Sequence, residues 1–158
     1  MILAIDPGTE ESAFVMLTQP GDTFRILDKG KVGNLTLLST IRNMDFRSDD
    51  HFVIEMVASY GMAVGKTTFE TVFWIGRFWE AASRAGYLER VYRKADVCMH
   101  LCKSTRAKDS NIRQALIDRF GDPGTKNNPG LLYGISKDVW SALAVGVTYR
   151  DRVTGEYK

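Results

Sequence analysis

Ile2-Leu3-Ala4-Ile5-Asp6-Pro7-Gly8-Thr9 is an unbroken aliphatic run halted by an acid and a turn. Four apolar residues are too few for a helix, and Pro-Gly ends whatever precedes it, so the segment reads as a buried strand closing in a turn. Outward from it, residues 12–18 and 24–32 carry enough aliphatic and β-branched side chains to continue as antiparallel neighbours, which predicts a three-stranded meander. Leu35, Leu38 and Ile41 fall at helical spacing within 35–44, and Phe52-Val53-Ile54 predicts a further short strand ending at Glu55. A long helix is expected over 67–85, a fifth strand over 88–92 and a helix near 96–102. Another helix, over 110–120, is expected to turn Ile112, Ala115, Leu116 and Phe120 inward and Arg113 outward. Asp122-Pro-Gly-Thr-Lys-Asn-Asn-Pro-Gly130 reads as an exposed, mobile loop, and Ser136 as the N-cap of a last helix through Val139, Leu143 and Val147. Five strands interleaved with helices predict an α/β fold with a mixed sheet.

The chain has 158 residues, 44% hydrophobic and 25% charged, which accommodates one domain over 1–158 with an ordinary core and leaves no room for a second. The apolar start is too short for a signal peptide and no stretch is long enough to span a bilayer, so a soluble protein of the cytoplasm is expected, with no membrane partner. The net charge of +2 conceals a division along the chain. Residues 1–83 hold 7 Lys/Arg and 11 Asp/Glu, residues 84–126 hold 10 and 5, and residues 127–158 hold 4 and 3. A basic middle between more acidic segments suits a protein that grips phosphates with one region and holds metal ions with another, and equally suits plain solvated surface. Cys98 and Cys102 flank His100, but no second Cys/His pair completes a tetrahedral zinc site, so buried helical thiols are expected.

The predicted helix over 67–85 is apolar on two sides: Phe69, Val72, Phe73, Gly76 and Trp79 on one, Trp74, Phe78 and Ala81 on the other. One stripe suffices to bury a surface helix. The second calls for a subunit partner, hence a homodimer, or else for a helix sandwiched centrally within the monomer.

Two predicted strands end in a carboxylate, Asp6 and Glu55, and an acid at the end of a buried strand is costly to desolvate unless a cation or hydrogen bonds satisfy it. Asp138, in the first turn of the last helix, is a third acid, kept ionised by the positive helix end. Three acids from remote positions converging on one place would suit Mg²⁺ or Mn²⁺, hard cations that prefer carboxylate oxygen, and a pair of such ions can cleave a phosphodiester. Taken singly, each is equally at home as a turn residue, a solvated strand end or a helix-start acid. Ile5-Asp6-Pro7-Gly8-Thr9 also looks like the first phosphate loop of the actin and Hsp70 ATPases. Those proteins need two lobes around a nucleotide, so no nucleotide cofactor is expected here. The candidate phosphate contacts are Lys103, Arg106, Lys108, Arg113 and Lys126, with Arg93 and Lys94 beside them. Tyr60 and Tyr133 are placed to stack on unpaired bases at a branch point, though aromatics in such places also anchor cores.

In order and spacing, Ile2–Thr9, Phe52-Val-Ile-Glu55 and Ser136-Lys-Asp-Val-Trp-Ser-Ala-Leu-Ala144 resemble the first strand and turn, the second catalytic strand and the final acidic helix of RuvC-type Holliday junction resolvases. The stretch from Ala58 to Phe78 looks like the form found in phage and prophage members. The resemblance covers essentially the whole chain. It implies a ribonuclease-H-like fold with a five-stranded mixed sheet flanked by helices, a homodimer, dependence on Mg²⁺ or Mn²⁺ with two ions per site, and paired nicks in branched DNA. It assigns Asp6, Glu55 and Asp138 to metal ligation and catalysis. Where cellular members have a second acid one helical turn after Asp138, this chain has Ser141, which still faces the site as a weaker, neutral ligand. That departure leaves a catalytically weakened junction-binding protein as one alternative, and a flap, fork or hybrid nuclease of the same fold as another.

Overall fold

The computed structural model describes residues 1–59, 61 and 63–156, so the candidate Tyr60 lies outside the described residues. The expected meander is β1 (Ile2–Asp6), β2 (Glu11–Leu17) and β3 (Ile26–Gly33), each antiparallel to the next. The chain then runs through α1 (Asn34–Asn43) into β4 (His51–Met56), which lies parallel to β1, and through α2 (Lys66–Ala81) into β5 (Tyr87–Tyr92), parallel to β4. The sheet order is β3-β2-β1-β4-β5, with β1 central.

Alternation along the strands divides the core in two. Leu3, Ile5, Phe52 and Ile54 face α1 and α2, while Ile2, Ala4, Val53 and Val91 face the helices of the last third of the chain. Those are a π-helical turn (Arg93–Cys98) running into the short α3 (Met99–Cys102), then α4 (Asp109–Phe120) and α5 (Val139–Thr154).

The centrally buried helix is α5, and not the helix over 67–85, for which central burial was the alternative to a subunit partner: every residue from Val139 to Asp151 except Ser141 is buried. It can lie so close to the sheet because Gly146 faces it, where a Cβ would come within 2.8 Å of Leu17 Cδ1 and 3.0 Å of Ala4 Cβ. Its far end is tied down by Asp151, 1% exposed, which accepts hydrogen bonds from both terminal nitrogens of Arg119 on α4 and meets Nε2 of His100 on α3 at 2.5 Å. His100 is thus turned to α5, and the Cys98 thiol faces the Ala107 carbonyl at 3.7 Å, so His100 and Cys98 have different partners.

The two apolar stripes of α2 also exchange roles. Phe78 and Ala81, with Ile75, are buried in the core, while Phe69 (62% exposed), Val72 and Phe73 (62%) form the uncovered stripe. Ser136 is not the cap of α5. That position belongs to Asp138, whose carbonyl accepts the N–H groups of Ser141 and Ala142 at 2.9 and 3.1 Å. The segment 122–130 is more ordered than its composition suggests. Gly124 and Pro129 bridge, Thr125 and Asn128 exchange backbone hydrogen bonds of 3.0 and 3.1 Å, and Asp122 receives the Gly124 N–H at 2.7 Å. Among the described residues no helix is long and apolar enough to cross a membrane.

Candidate functional site

The registers of three strands assemble the site. Ile5 lies opposite Ile54, so the next residues, Asp6 and Glu55, end side by side at the carboxyl edges of parallel neighbours. Asp6 pairs with Ala13 on β2, Ala13 with Lys31 on β3, and Glu55 with Val91 on β5, two residues before Arg93. By alternation all of these side chains project from the face that α5 covers. A row therefore crosses the sheet in the order Lys31, Ala13, Asp6, Glu55, Val91, with Arg93 just beyond: two inner carboxylates with a cation on either side.

The turn after Asp6 is built for its place. A Cβ on Gly8 would sit 2.3 Å from the Glu11 carbonyl oxygen, so only glycine fits. Buried Asn34 at the head of α1 donates to the Gly8 carbonyl at 3.0 Å and accepts from the Ser12 hydroxyl at 2.6 Å, while Ser12 Oγ accepts the Gly8 N–H at 3.2 Å. This triangle fixes the chain two residues beyond Asp6. It went unrecognised in the sequence because Ser12 and Asn34 are 22 positions apart and look like ordinary strand and helix-start residues.

Both inner carboxylates hold their protons more tightly than ordinary carboxyls do. Burial is the main cause for Asp6, Glu55 the next, and despite the opposing Arg93 the carboxyl is pushed up to about 7, with Asp138 and Asp109 adding to the rise. Glu55 is raised too, mainly by burial, with Arg93 opposing. Glu55 Oε2 lies 3.5 Å from Arg93 Nη1, near enough for attraction but without hydrogen-bond alignment, and remains a buried oxygen with no hydrogen bond.

The outer cations each hold an outer acid. Lys31 Nζ binds Asp138 at 2.7 Å and Glu11 at 3.4 Å, and Arg93 Nη2 binds Asp109, the first residue of α4. Arg93 and Asp109 line the same cleft as Asp138, Ser141, Arg113 and Trp140. Of the candidates from sequence, the structure thus brings Asp6 and Glu55 together and places Asp138 across the cleft, engaged by Lys31. Among the described residues no three acids, histidines or cysteines already stand at metal-binding separation. Ser141 follows Asp138 by one turn, half-buried in the cleft. Lys103, Arg106 and Lys108 are exposed on the link from α3 to α4, with Lys103 in a left-handed conformation (φ 54°) that ends α3. Arg113 stacks over Trp140, 5.1 Å from its ring centroid, and Lys126 is exposed on the ordered turn 122–130. Tyr133 is exposed. Sequence reasoning missed Asp109 and Lys31 and left Arg93 as one surface cation among several. The predicted strand over 88–92 was the one signal that Arg93, like Asp6 and Glu55, stands at a strand end.

A five-stranded sheet whose central strand has an antiparallel neighbour on one side and a parallel one on the other, with helices on both faces and acids at the ends of β1 and β4, has the arrangement of a ribonuclease-H-like fold. The chain is similar to RuvC of Thermus thermophilus, with a TM-score of 0.72 and 15% identity over 99% of this chain and 98% of that one. Against T. thermophilus RuvC in complex with a Holliday junction substrate the TM-score is 0.70, with 13% identity over 98% and 95% of the two chains. The Fowlpox virus resolvase, solved with its substrate Holliday junction DNA, matches with a TM-score of 0.56 and 13% identity over 96% and 99%. No protein-family model and no curated protein matches the sequence.

Proposed function

We propose that this protein is a divalent-metal-dependent endonuclease that resolves four-way DNA junctions by paired nicks. The observation that carries the reading is the pair of half-buried carboxylates, Asp6 and Glu55, both with raised proton affinity, at adjacent strand ends in a fold similar to that of a resolvase solved with its junction substrate.

The donor set suits a hard cation: two carboxylates are held together, and one buried oxygen, Glu55 Oε2, has no hydrogen bond. Asp6 and Glu55 would hold Mg²⁺ or Mn²⁺, two ions per site being proposed, and Asp138 would join them on leaving Lys31. When bound, the metal supplies Lewis acidity toward the phosphodiester and lowers the pKa of an attacking water. Asp6 and Glu55 contribute negative charge held at fixed separation by the β1–β4 ladder. Ser141 offers a neutral hydroxyl on the same helix face as Asp138. Lys103, Arg106, Lys108, Arg113 and Lys126 are taken as the phosphate contacts, which position DNA without reading its bases.

The discriminating experiment incubates the protein with a four-way junction, a fork and linear duplex, with Mg²⁺ or with EDTA. Symmetric nicks in the junction are expected in Mg²⁺ and none in EDTA. Equal cutting of all three substrates points instead to a less selective nuclease. A second reading, a junction-binding protein with weakened catalysis, is favoured by the neutral Ser141 and by the engagement of Asp138 with Lys31. It predicts junction binding in Ca²⁺ and no cleavage in Mg²⁺ or Mn²⁺.

The uncovered stripe of α2 is proposed as the homodimer surface. Phe69, Val72 and Phe73 form an apolar patch, with the Arg77 guanidinium over the Trp74 ring at 4.4 Å on one flank. Phe73→Glu is expected to convert a dimer to a monomer at micromolar concentration by sedimentation equilibrium. A monomeric mass for the unmodified protein refutes the assignment.

A further inference from the structure

We propose that Arg93 is a resident counter-ion of the acid pair, occupying in the metal-free protein the electrostatic role that a divalent cation takes over, so that metal binds in competition with its guanidinium. The inference rests on the reading of Asp6 and Glu55 as metal ligands.

Three observations support it. Arg93 is placed by the sheet itself: it follows the last residue of β5 and ends beside Glu55, as Glu55 ends beside Asp6. It is anchored from behind by a π-helical turn, a departure from α-helical winding that is frequent at functional sites. Asp96 fixes that turn by accepting the Tyr92 N–H at 2.7 Å and binding Arg152 at 2.8 Å. Finally, its two terminal nitrogens are divided: Nη1 faces Glu55 Oε2 at 3.5 Å without hydrogen-bond alignment, while Nη2 is bound to Asp109, whose side chain is 89% exposed. The inner contact is thus the looser and the outer one the firmer, and Glu55 keeps an oxygen that the guanidinium neutralises without satisfying. A metal ion at that oxygen meets the positive charge of Arg93 a few ångströms away and gains if the guanidinium withdraws toward Asp109.

Arg93→Met removes the charge and keeps much of the side-chain length. Mn²⁺ binding is measured by calorimetry without DNA at pH 8.5, where proton competition is small. Affinity is expected to rise about tenfold in Arg93→Met and to stay near the unmodified value in Arg93→Lys. Damage to the fold does not produce tighter binding, so the direction separates competition from a purely structural role. In parallel, the metal-free Arg93→Met protein should melt lower and gain more from saturating Mn²⁺. Should that variant fail to fold, the unmodified protein serves. Its Arg93 Nε–H resonance is expected to shift on titration with Ca²⁺, and an unmoved resonance in a protein that binds Ca²⁺ overturns the proposal. If the unmodified protein binds Mn²⁺ and folded Arg93→Met binds it no more tightly, the competition inference alone falls. If neither binds Mn²⁺, the metal reading of Asp6 and Glu55 falls and takes this inference with it.

Discussion

Asp6→Asn and Glu55→Gln are each expected to slow cleavage of a four-way junction in Mg²⁺ by at least about a hundredfold to a thousandfold, while junction binding in Ca²⁺ stays near that of the unmodified protein. Both substitutions keep the shape of the side chain and remove only its charge. Because the two carboxylates sit side by side at the ends of hydrogen-bonded strands, neither can move to make up for loss of the other. Full activity in either variant would place the chemistry elsewhere. The binding measurement guards against a trivial cause, since the basic residues proposed to contact phosphates lie on other elements and are untouched.

Raising the pH from 5 to 8 should destabilise the metal-free protein. Asp6 has its folded-state carboxyl pushed up to about 7, against an ordinary value of 3.8, and Glu55 moves the same way. Between those values the unfolded chain has released the Asp6 proton while the folded chain retains it. The stability this supplies is complete below the unfolded value and is lost as pH climbs through the folded one, at up to about 1.4 kcal/mol per pH unit for one proton. Saturating Mn²⁺ should reverse the trend, because metal binds only the ionised carboxyls and its stabilisation grows over the same range. Thermal melts at pH 5, 6.5 and 8 in EDTA and in Mn²⁺ measure both slopes. A metal-free protein that melts higher at pH 8 than at pH 5 would mean that the acid pair does not hold its protons as described.

β1, β4 and the two inner acids were legible because each of those strands is a short apolar run that stops at a carboxylate, and the other three strands were read from their aliphatic and β-branched residues. What surrounds the acids was not, because it depends on register. Nothing near Lys31 in the sequence says that it aligns through Ala13 with Asp6, nor does anything near Arg93 say that it lands beside Glu55. Charge counting could place Arg93 only in a basic region. The exchange of roles between α2 and α5 has a similar origin. Both helices are apolar on more than one side, and which of them is enclosed depends on the order of the strands beneath. The small residues Ala142, Ala144 and Gly146 were the available hint that α5 packs closest. The segment 122–130 read as an exposed, irregular loop, and what its composition did not reveal is that its Asp, Thr and Asn groups find partners within the turn itself.

Gly146 reaches further than its own contact. It lies eight residues from Asp138, about 12 Å along the helix axis. Contact at Gly146 with Leu17 and Ala4 acts as a fulcrum for α5. A tilt of about 10° about that point would carry the Asp138 end by roughly 2 Å, comparable to the length of a metal–oxygen bond. The span between Asp138 and the two strand-end acids is therefore sensitive to packing in the dry interior, where Gly146 lacks a methyl group.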